Sequence, residues 1–344
     1  MAATPQKPVA KASQSDYSHF VWKGKSLKSF TGNEAAFGRK STGDSTMKRK
    51  ITGRRDFLKY AATITIGSSL LRKPAPARAG SGSGRLLKSC QFRMLPRDLS
   101  DAEKFALARK CGFEGIEPST IADPARAREL GALAREAGVP IHSITYGGWG
   151  APLSDPRPEK VEEGLAGVET ALRSAKAAGA DVVLLVPAVV NETVSYRQAY
   201  ERSQKNIRKL LPLARELRVT IAVENVWNKF LLSPLEFARY VDEFESPWLK
   251  AYFDIGNVIL FGYSQDWIRT LGKRIVRIHL KDFKRKGYQW TNLLEGDVNW
   301  PEVRKALHET GYASYMTTEL RGGDEPYLTD LSARIDKIIA MKPA

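Results

Sequence analysis

From Leu86 onward, the chain alternates between two patterns of apolar residues. Short apolar runs bounded by turn residues are typical of buried strands, and longer stretches with apolar residues three or four positions apart are typical of amphipathic helices. The short runs predict eight strands, at residues 87–93, 115–118, 140–145, 181–186, 220–225, 251–254, 275–281 and 315–319. The longer stretches predict eight helices, at residues 101–111, 123–137, 158–178, 195–217, 233–244, 265–271, 300–310 and 328–339.

Residues that begin and end helices stand where this alternation requires them. Ser100 and Ser233 precede predicted helices, where a hydroxyl can accept a hydrogen bond from a free backbone N–H. Glycines follow four of the predicted helices, at Gly112, Gly138, Gly179 and Gly311. Eight strand–helix units in residues 80–344 predict an α/β fold, a (β/α)8 TIM barrel. No glycine-rich phosphate-binding sequence follows the first predicted strand, which argues against an open, dinucleotide-binding sheet.

The net charge of +16 is unevenly distributed. Residues 1–79 hold 16 Lys and Arg against 4 Asp and Glu, which leaves 38 against 34 for the remainder. The basic character therefore belongs to the N-terminal segment, and we expect no nucleic-acid binding by the barrel.

The N-terminal segment resembles a twin-arginine export signal. Arg54 and Arg55 stand in "TGRRDFLK", followed by an apolar run at residues 60–71 and then by Ala77-Arg78-Ala79. We expect a signal peptide at residues 47–79, cleavage after Ala79, use of the twin-arginine export machinery and a periplasmic or otherwise exported protein. The apolar run is too short to span a bilayer. Residues 1–46 are expected to be disordered or to be an over-extended start of the gene, with Met47 as the true first residue.

Four polar residues fall at the C-terminal ends of successive predicted strands, where TIM barrels carry their active sites. They are Glu224, Asp254, His279 and Glu319. Three carboxylates that converge on a buried pocket repel one another, and one histidine cannot neutralise them. A divalent cation removes that cost and suits a mixed oxygen and nitrogen ligand set. The alternative is that each residue is a capping or ion-paired residue at a strand end.

These residues carry a resemblance to the sugar-phosphate isomerase/epimerase superfamily of xylose isomerase-like TIM barrels. The phrases "AVEN", "YFDIGN", "IHLKD" and "TTEL" match the four metal-binding positions of its ketose 3-epimerases in order, and "LLEGDVNWPEVRKALHETGY" matches the last helix–strand unit. The resemblance implies one divalent metal, Mn²⁺ first and Mg²⁺, Co²⁺ or Zn²⁺ as alternatives, held by Glu224, Asp254, His279 and Glu319. It also implies that Glu224 and Glu319 act as the catalytic pair, one removing a proton beside a keto group to form an enediolate and the other returning it.

The resemblance further implies substrate contacts. Arg285 matches an arginine that grips the substrate, and Lys281 is expected at the rim of the pocket. Asn257 stands where the family has a histidine, and an amide cannot shuttle a proton; this departure weakens the transfer of a ketose 3-epimerase activity.

Four further residues are candidates from their positions alone. Glu117 ends the second predicted strand, where it could meet a substrate hydroxyl or form a salt bridge. His142 lies in the third, as a substrate contact or as a core histidine. Trp149 and Trp227 lie in loops, where they could stack on a sugar ring or serve only loop packing.

We therefore expect a metal-dependent isomerase or epimerase of a keto-sugar or related polyol. Because an exported enzyme meets few sugar phosphates, a non-phosphorylated keto-sugar is the favoured substrate. One alternative is a lyase or dehydratase that uses the same chemistry to expel a β-substituent from a keto-glycoside or keto-inositol. Another is a non-catalytic sugar-binding barrel. The oligomeric state is left open, with a homo-oligomer among the alternatives.

Overall fold

The computed structural model describes residues 84–342. The expectations for the segment at residues 1–46, for the export signal at residues 47–79 and for its cleavage site lie outside the described residues. Eight parallel strands form the central sheet: β1 (Leu87–Gln91), β2 (Gly115–Glu117), β3 (Ile144–Tyr146), β4 (Val182–Leu185), β5 (Thr220–Glu224), β6 (Leu249–Asp254), β7 (Ile275–Leu280) and β10 (Tyr315–Thr318). A two-stranded antiparallel hairpin is inserted between β7 and β10: β8 (Asp282–Lys284) and β9 (Gln289–Thr291).

A helix separates each pair of successive central strands, and the last helix follows β10. The helices are α1 (Asp101–Lys110), α2 (Pro124–Glu136), α3 (Pro158–Ala178), α4 (Tyr196–Leu217), α5 (Pro234–Asp242), α6 (Ser264–Leu271), α7 (Trp300–Glu309) and α8 (Glu325–Ala340). Among residues 84–342, none of these helices has the length and apolar character needed to cross a membrane.

The order of the strands closes the sheet on itself. Hydrogen-bonded neighbours run β2-β1-β10-β7-β6-β5-β4-β3, and every pair is parallel. The two edge strands meet through isolated parallel bridges, which pair Ile116 with Ile141 and Ser119 with Thr145. The predicted (β/α)8 TIM barrel is therefore confirmed.

Local sequence determines where several helices begin. The Ser100 side chain accepts a hydrogen bond from the backbone N–H of Glu103, and the Glu103 carboxylate accepts one from the backbone N–H of Ser100. Ser195 and Gln198 form the same reciprocal pair at the start of α4. These capping boxes satisfy backbone N–H groups that have no partner within the helix.

The apolar core has two parts. The larger part lies between the barrel and the surrounding helices and includes Ile221, Val223, Ile278 and Leu280. The smaller part consists of Val182, Leu184, Ala222 and Tyr252. Alternate residues of β5 thus belong to different parts of the core, as strict alternation along a barrel strand requires.

Polar residues complete the barrel interior at the N-terminal ends of the strands. Arg277 is buried and donates hydrogen bonds to Nδ1 of His142 and to the Ser314 hydroxyl, and it forms an ion pair with Asp181. The His142 ring stacks on Tyr315, with 4.0 Å between ring centroids. Since the hydrogen bond from Arg277 occupies Nδ1 as an acceptor, the proton of a neutral His142 lies on Nε2.

The largest differences from the sequence-based elements are at irregular segments. β1 ends at Gln91 because Phe92–Met94 form a 3-10 turn. β3 begins only at Ile144, since the residues before it join β2 through single bridges and not a continuous ladder. The β8–β9 hairpin was not predicted.

Candidate active site

One acidic cluster lies at the C-terminal ends of four neighbouring strands. Ligand atoms from Glu224, Asp254, His279 and Glu319 all lie within 4.8 Å of one another. Nδ1 of His279 is 2.8 Å from a carboxylate oxygen of Glu224, 3.0 Å from one of Glu319 and 3.9 Å from one of Asp254. The structure therefore brings together the four residues that the sequence singled out as metal ligands.

Strand register explains why these residues meet. Asp254 of β6 pairs directly with His279 of β7, and His279 pairs on its other side with Thr317 of β10. Glu319 follows β10, and its backbone N–H donates to the carbonyl of Leu280, which holds the end of β10 against β7. In parallel strands, side chains at the same level and on the same face converge inside a closed barrel.

The electrostatics of the cluster fit a divalent cation. Burial raises the pKa of Glu224 to about 7 and also raises the pKa of Asp254, although His279 and Lys281 act in the opposite direction. Burial acts the same way on Glu319, but the charges of Lys281 and His279 outweigh it and hold its pKa well below the usual range. The charges of Lys281 and His279 therefore do not fully compensate the burial of Glu224 and Asp254, and a divalent cation would supply further positive charge.

An unsatisfied atom gives a second test of this fit. Oδ2 of Asp254 is buried and, among residues 84–342, has no hydrogen-bond partner, although Lys281 Nζ lies 3.1 Å away as an ion-pair partner. Its other oxygen, Oδ1, accepts a hydrogen bond from the backbone N–H of Asn257. Buried polar atoms are almost always satisfied, so a buried carboxylate oxygen that has no hydrogen bond and lies beside three other potential metal ligands fits a cation site. Three carboxylate oxygens and one imidazole nitrogen suit Mn²⁺, Mg²⁺, Co²⁺ or Zn²⁺.

Lys281 lies beside the acids. Its Nζ is 2.7 Å from a Glu319 oxygen, and it lies over the ring of Trp290, 5.4 Å from the ring centroid. Burial opposes its charge, but Asp254 and the two glutamates outweigh that effect and raise its pKa. Lys281 is therefore a permanent cation of the site.

Glu117 lies behind His279, where the histidine separates it from the acidic cluster. Its buried carboxylate faces Nε2 of His279 at 2.7 Å, while the opposite ring nitrogen faces Glu224 and Glu319. Burial by itself would raise the pKa of Glu117, but the charge and hydrogen bond of His279 outweigh it and lower the pKa to about 2. Glu117 does not line the cavity described next, and the partner that its carboxylate meets across the barrel is His279.

A cavity of about 240 Å³ opens over the cluster. It is lined by Glu224, His279, Lys281 and Glu319, and also by three tryptophans, Trp149, Trp227 and Trp290. The tryptophans are between 38% and 46% exposed, so a ligand in the cavity can reach their indole rings. Larger clefts lie elsewhere on the barrel, but none of those described contains a comparable set of converging acids.

Asn257 lines the cavity, but its amide group is engaged. The side-chain Nδ2 donates to the backbone carbonyl of Asn225, and the backbone carbonyl of Asn257 accepts a hydrogen bond from Nε1 of Trp227. Asn257 thus links the loops that follow β5 and β6.

Besides Glu117, two predicted substrate-binding residues lie outside the cavity lining. Arg285 donates to the backbone carbonyls of Ile259 and Gly262 and stacks on Tyr263, outside the cavity lining. His142 lies in the barrel interior on the side of Arg277 and Tyr315.

Sequence reasoning missed Trp290. It lies on β9, and its ring is 5.0 Å from that of Trp227 between centroids. A signal was present, since two short polar–aromatic–polar triplets, Asp282–Lys284 and Gln289–Thr291, flank Gly287. Residues of this kind around a glycine are typical of a hairpin.

Comparisons with known proteins agree with the fold. Residues 105–338 match the family model of the xylose isomerase-like TIM barrel. The chain belongs to the xylose isomerase-like TIM barrel family. Within this family it is 26% identical over 262 residues to the putative L-ribulose-5-phosphate 3-epimerase SgbU of Escherichia coli (strain K12), which covers 70% of this chain and 92% of that protein. It is 23% identical over 240 residues to the L-ribulose-5-phosphate 3-epimerase UlaE of Escherichia coli O1:K1 / APEC, which covers 66% and 84%.

Solved structures share the family fold. D-Psicose 3-epimerase from Clostridium cellulolyticum H10 superposes with a TM-score of 0.64 at 17% identity, covering 74% of this chain and 99% of that one. The 3-keto-D-glucoside 4-epimerase YcjR from E. coli superposes with a TM-score of 0.64 at 16% identity, again covering 74% and 99%. Several of the relatives and solved structures that resemble this chain are thus named as sugar epimerases.

Proposed function

We propose that this chain is a divalent-metal-dependent isomerase or epimerase of a non-phosphorylated keto-sugar. The main support for this proposal is the convergence of three carboxylates and one imidazole at the barrel mouth, where a buried oxygen of Asp254 has no hydrogen bond. The sugar epimerases among the relatives and structural neighbours support the reaction class.

The proposed roles follow from the positions of the side chains. Glu224, Asp254, His279 and Glu319 would hold the cation, which supplies Lewis acidity to the oxygens of a bound keto-sugar. Glu224 and Glu319 lie on β5 and just after β10, on either side of His279, so each can face a substrate carbon from a different direction. One glutamate takes the proton from the carbon beside the keto group and the other returns it. Lys281 holds a substrate oxygen or the charge that develops on it.

The cavity lining supports a substrate without a phosphate group. Among the lining residues Lys281 is the one lysine or arginine, and it already pairs with Asp254 and Glu319. A phosphate dianion would therefore meet acids without a free arginine or lysine to bind it. The three indole rings instead offer apolar faces of the kind on which sugar rings stack. In this respect the proposal departs from the phosphorylated sugar named for the SgbU and UlaE relatives.

The proposal is tested by proton exchange. Purified protein with Mn²⁺ is incubated with candidate keto-sugars in D₂O, and deuterium incorporation beside the keto group is followed by NMR. We expect exchange by the unchanged protein, and a loss of at least about 100-fold in Glu319→Gln, since general acid–base groups contribute roughly 10²–10⁴-fold. Glu325→Gln, an exposed residue that pairs with Lys110, is the matched control and keeps the wild-type rate. Near wild-type exchange by Glu319→Gln would contradict the two-glutamate roles.

A lyase is the second candidate, because Asn257 stands where the family resemblance implies a proton-shuttling histidine. A carboxamide cannot shuttle a proton, and its Nδ2 is held by the backbone carbonyl of Asn225. The same D₂O experiment separates the two reactions. Exchange or stereochemical inversion with the carbon skeleton intact supports the epimerase, and loss of water or of an alcohol supports the lyase. A third result, saturable sugar binding without exchange or elimination, would support the sugar-binding barrel.

Export remains part of the proposal through the Arg54-Arg55 pair. Replacing both arginines by lysine keeps the charge but changes the twin-arginine motif. Cell fractionation should then show the unprocessed protein retained in the cytoplasm, and unchanged export would contradict this proposal.

A further inference from the structure

The Glu117 carboxylate is surrounded by hydrogen-bond donors. It is 1% exposed, and its two oxygens have different neighbours. Oε2 accepts hydrogen bonds from the hydroxyls of Ser143, at 2.5 Å, and Tyr252, at 2.6 Å. Oε1 accepts one from Nε2 of Gln91 at 3.2 Å and faces Nε2 of His279 at 2.7 Å.

Both ring nitrogens of His279 face carboxylates, and a carboxylate offers only acceptors. Without a cation, Nε2 therefore donates to Glu117 at 2.7 Å and Nδ1 donates to Glu224 at 2.8 Å. A cation bound at Nδ1 would replace the proton there, and Glu117 would keep the remaining proton on Nε2. Nδ1 is the atom that lies among the oxygens of Glu224, Glu319 and Asp254.

We propose that Glu117 is a positioning residue for the metal site: it fixes the Nε2–H tautomer and the ring orientation of His279, so that Nδ1 is the ligand atom. This inference rests on the metal site of the proposed function. Metal-bound histidines commonly donate their second N–H to a carboxylate, and loss of that partner costs about 10–100-fold in metal affinity. Glu117 has no contact with the cavity, and its effect passes through His279.

The Glu117→Gln variant tests this inference because it removes the carboxylate charge in either orientation of the new amide. If the amide oxygen takes the Oε1 position, beside the donor Nε2 of Gln91, His279 keeps only a neutral and weaker acceptor. If the NH₂ group takes that position, it donates to Nε2, and the imidazole proton moves to Nδ1, where it blocks metal coordination. The variant keeps nearly the same volume, so the barrel should fold.

The first measurement is the affinity for Mn²⁺, by titrating the metal-free protein and following free Mn²⁺ by electron paramagnetic resonance. We expect Glu117→Gln to bind Mn²⁺ about 10–100-fold more weakly than the unchanged protein. Tyr252→Phe is the matched control: it removes one hydrogen bond from the same carboxylate but leaves the Glu117–His279 contact, and its affinity should stay within about threefold. Equal losses in the two variants would mean that general packing, and not the contact with His279, sets the affinity.

The second measurement does not depend on a variant that folds. In ¹⁵N-histidine-labelled wild-type protein loaded with diamagnetic Zn²⁺, long-range ¹H–¹⁵N spectra should show His279 with its proton on Nε2 and Nδ1 bound to the metal. The opposite assignment, or Mn²⁺ affinity of Glu117→Gln within twofold of wild type, overturns the inference. If wild-type protein exchanges keto-sugar protons with Mn²⁺ while Glu117→Gln keeps full affinity, only the positioning role fails. If wild-type protein does not bind Mn²⁺ at all, the proposed function fails with it.

Discussion

Within a single stretch, "RIHLKDF", the role of each residue depends on its depth along the barrel. Arg277 is buried with His142 and Ser314, His279 belongs to the acidic cluster, and Lys281 lines the cavity. Asp282 has turned away from the cavity: its carboxylate accepts hydrogen bonds from the Val298 backbone N–H and from Nε1 of Trp300, the first residue of α7. Through these hydrogen bonds, Asp282 links the end of β7 to the start of α7 and the residues just before it.

Replacing Asp282 should lower the stability of the folded protein. In Asp282→Ala, the buried donors of Val298 and Trp300 lose their acceptor, and each unsatisfied buried donor costs about 1–3 kcal/mol. We expect the free energy of unfolding to fall by ~2–4 kcal/mol in urea denaturation. Asp330→Ala, which removes an exposed ion pair with Arg334, should change it by less than about 1 kcal/mol. A loss at Asp282 no larger than that of the control would show that these hydrogen bonds are dispensable.

The sequence predicted the residues of regular strands better than those of loops. Alternation along a strand assigns faces without knowledge of the rest of the chain, so Glu224, Asp254 and His279 could be placed in advance. Arg285 could not, because the chain after β7 bends into the hairpin and aims its guanidinium at the carbonyls of Ile259 and Gly262. Those contacts bring together segments more than twenty residues apart, and no local pattern encodes them.

At the scale of elements, the β8–β9 hairpin lies at the mouth of the barrel. It follows β7 directly and brings Trp290 over Lys281 and against Trp227. Two more aromatic residues of the same segment, Phe283 and Tyr288, also pack on Trp227. The hairpin thus forms one side of the cavity without contributing to the acidic cluster.

We expect Trp290→Ala to weaken substrate binding more than catalysis. The indole contacts the cavity but not the proposed proton-transfer groups, so KM for the keto-sugar should rise while kcat changes little. A lost stacking contact of ~1–2 kcal/mol corresponds to an increase in KM of about 5–30-fold. Tyr288→Ala, in the same hairpin but outside the cavity lining, should leave KM within about twofold. A fall in kcat with unchanged KM would instead assign Trp290 a part in the chemistry.

For the whole molecule, the cluster joins strands that are far apart along the chain. Its members come from β5, β6, β7 and the end of β10, and Glu117 adds β2 through its contact with His279. A ligand that binds only the folded barrel stabilises it by mass action. Metal binding should therefore be visible as global stability as well as activity.

The melting temperature should rise with the concentration of Mn²⁺. At about 100 times the Kd, the gain is ~2.7 kcal/mol, or about 5–10 °C for a domain of this size. A chelator should reverse the shift. Asp254→Asn should abolish most of it, since the amide oxygen can still accept the hydrogen bond from Asn257 but the charge is gone. A shift of the same size in Asp254→Asn would mean that Mn²⁺ stabilises the protein from another place.

The order in which the cluster is assembled has a consequence for biosynthesis. All four of its residues lie in the second half of the barrel, between β5 and the residue after β10, whereas their supporting carboxylate, Glu117, belongs to the first half. During synthesis, Glu117 is therefore made long before His279, the residue that it contacts. The four residues of the cluster are all present only when Glu319 has left the ribosome. If the barrel binds the proposed cation, the first four strand–helix units are made before the cation can stabilise them, and metal capture would report that the barrel is complete.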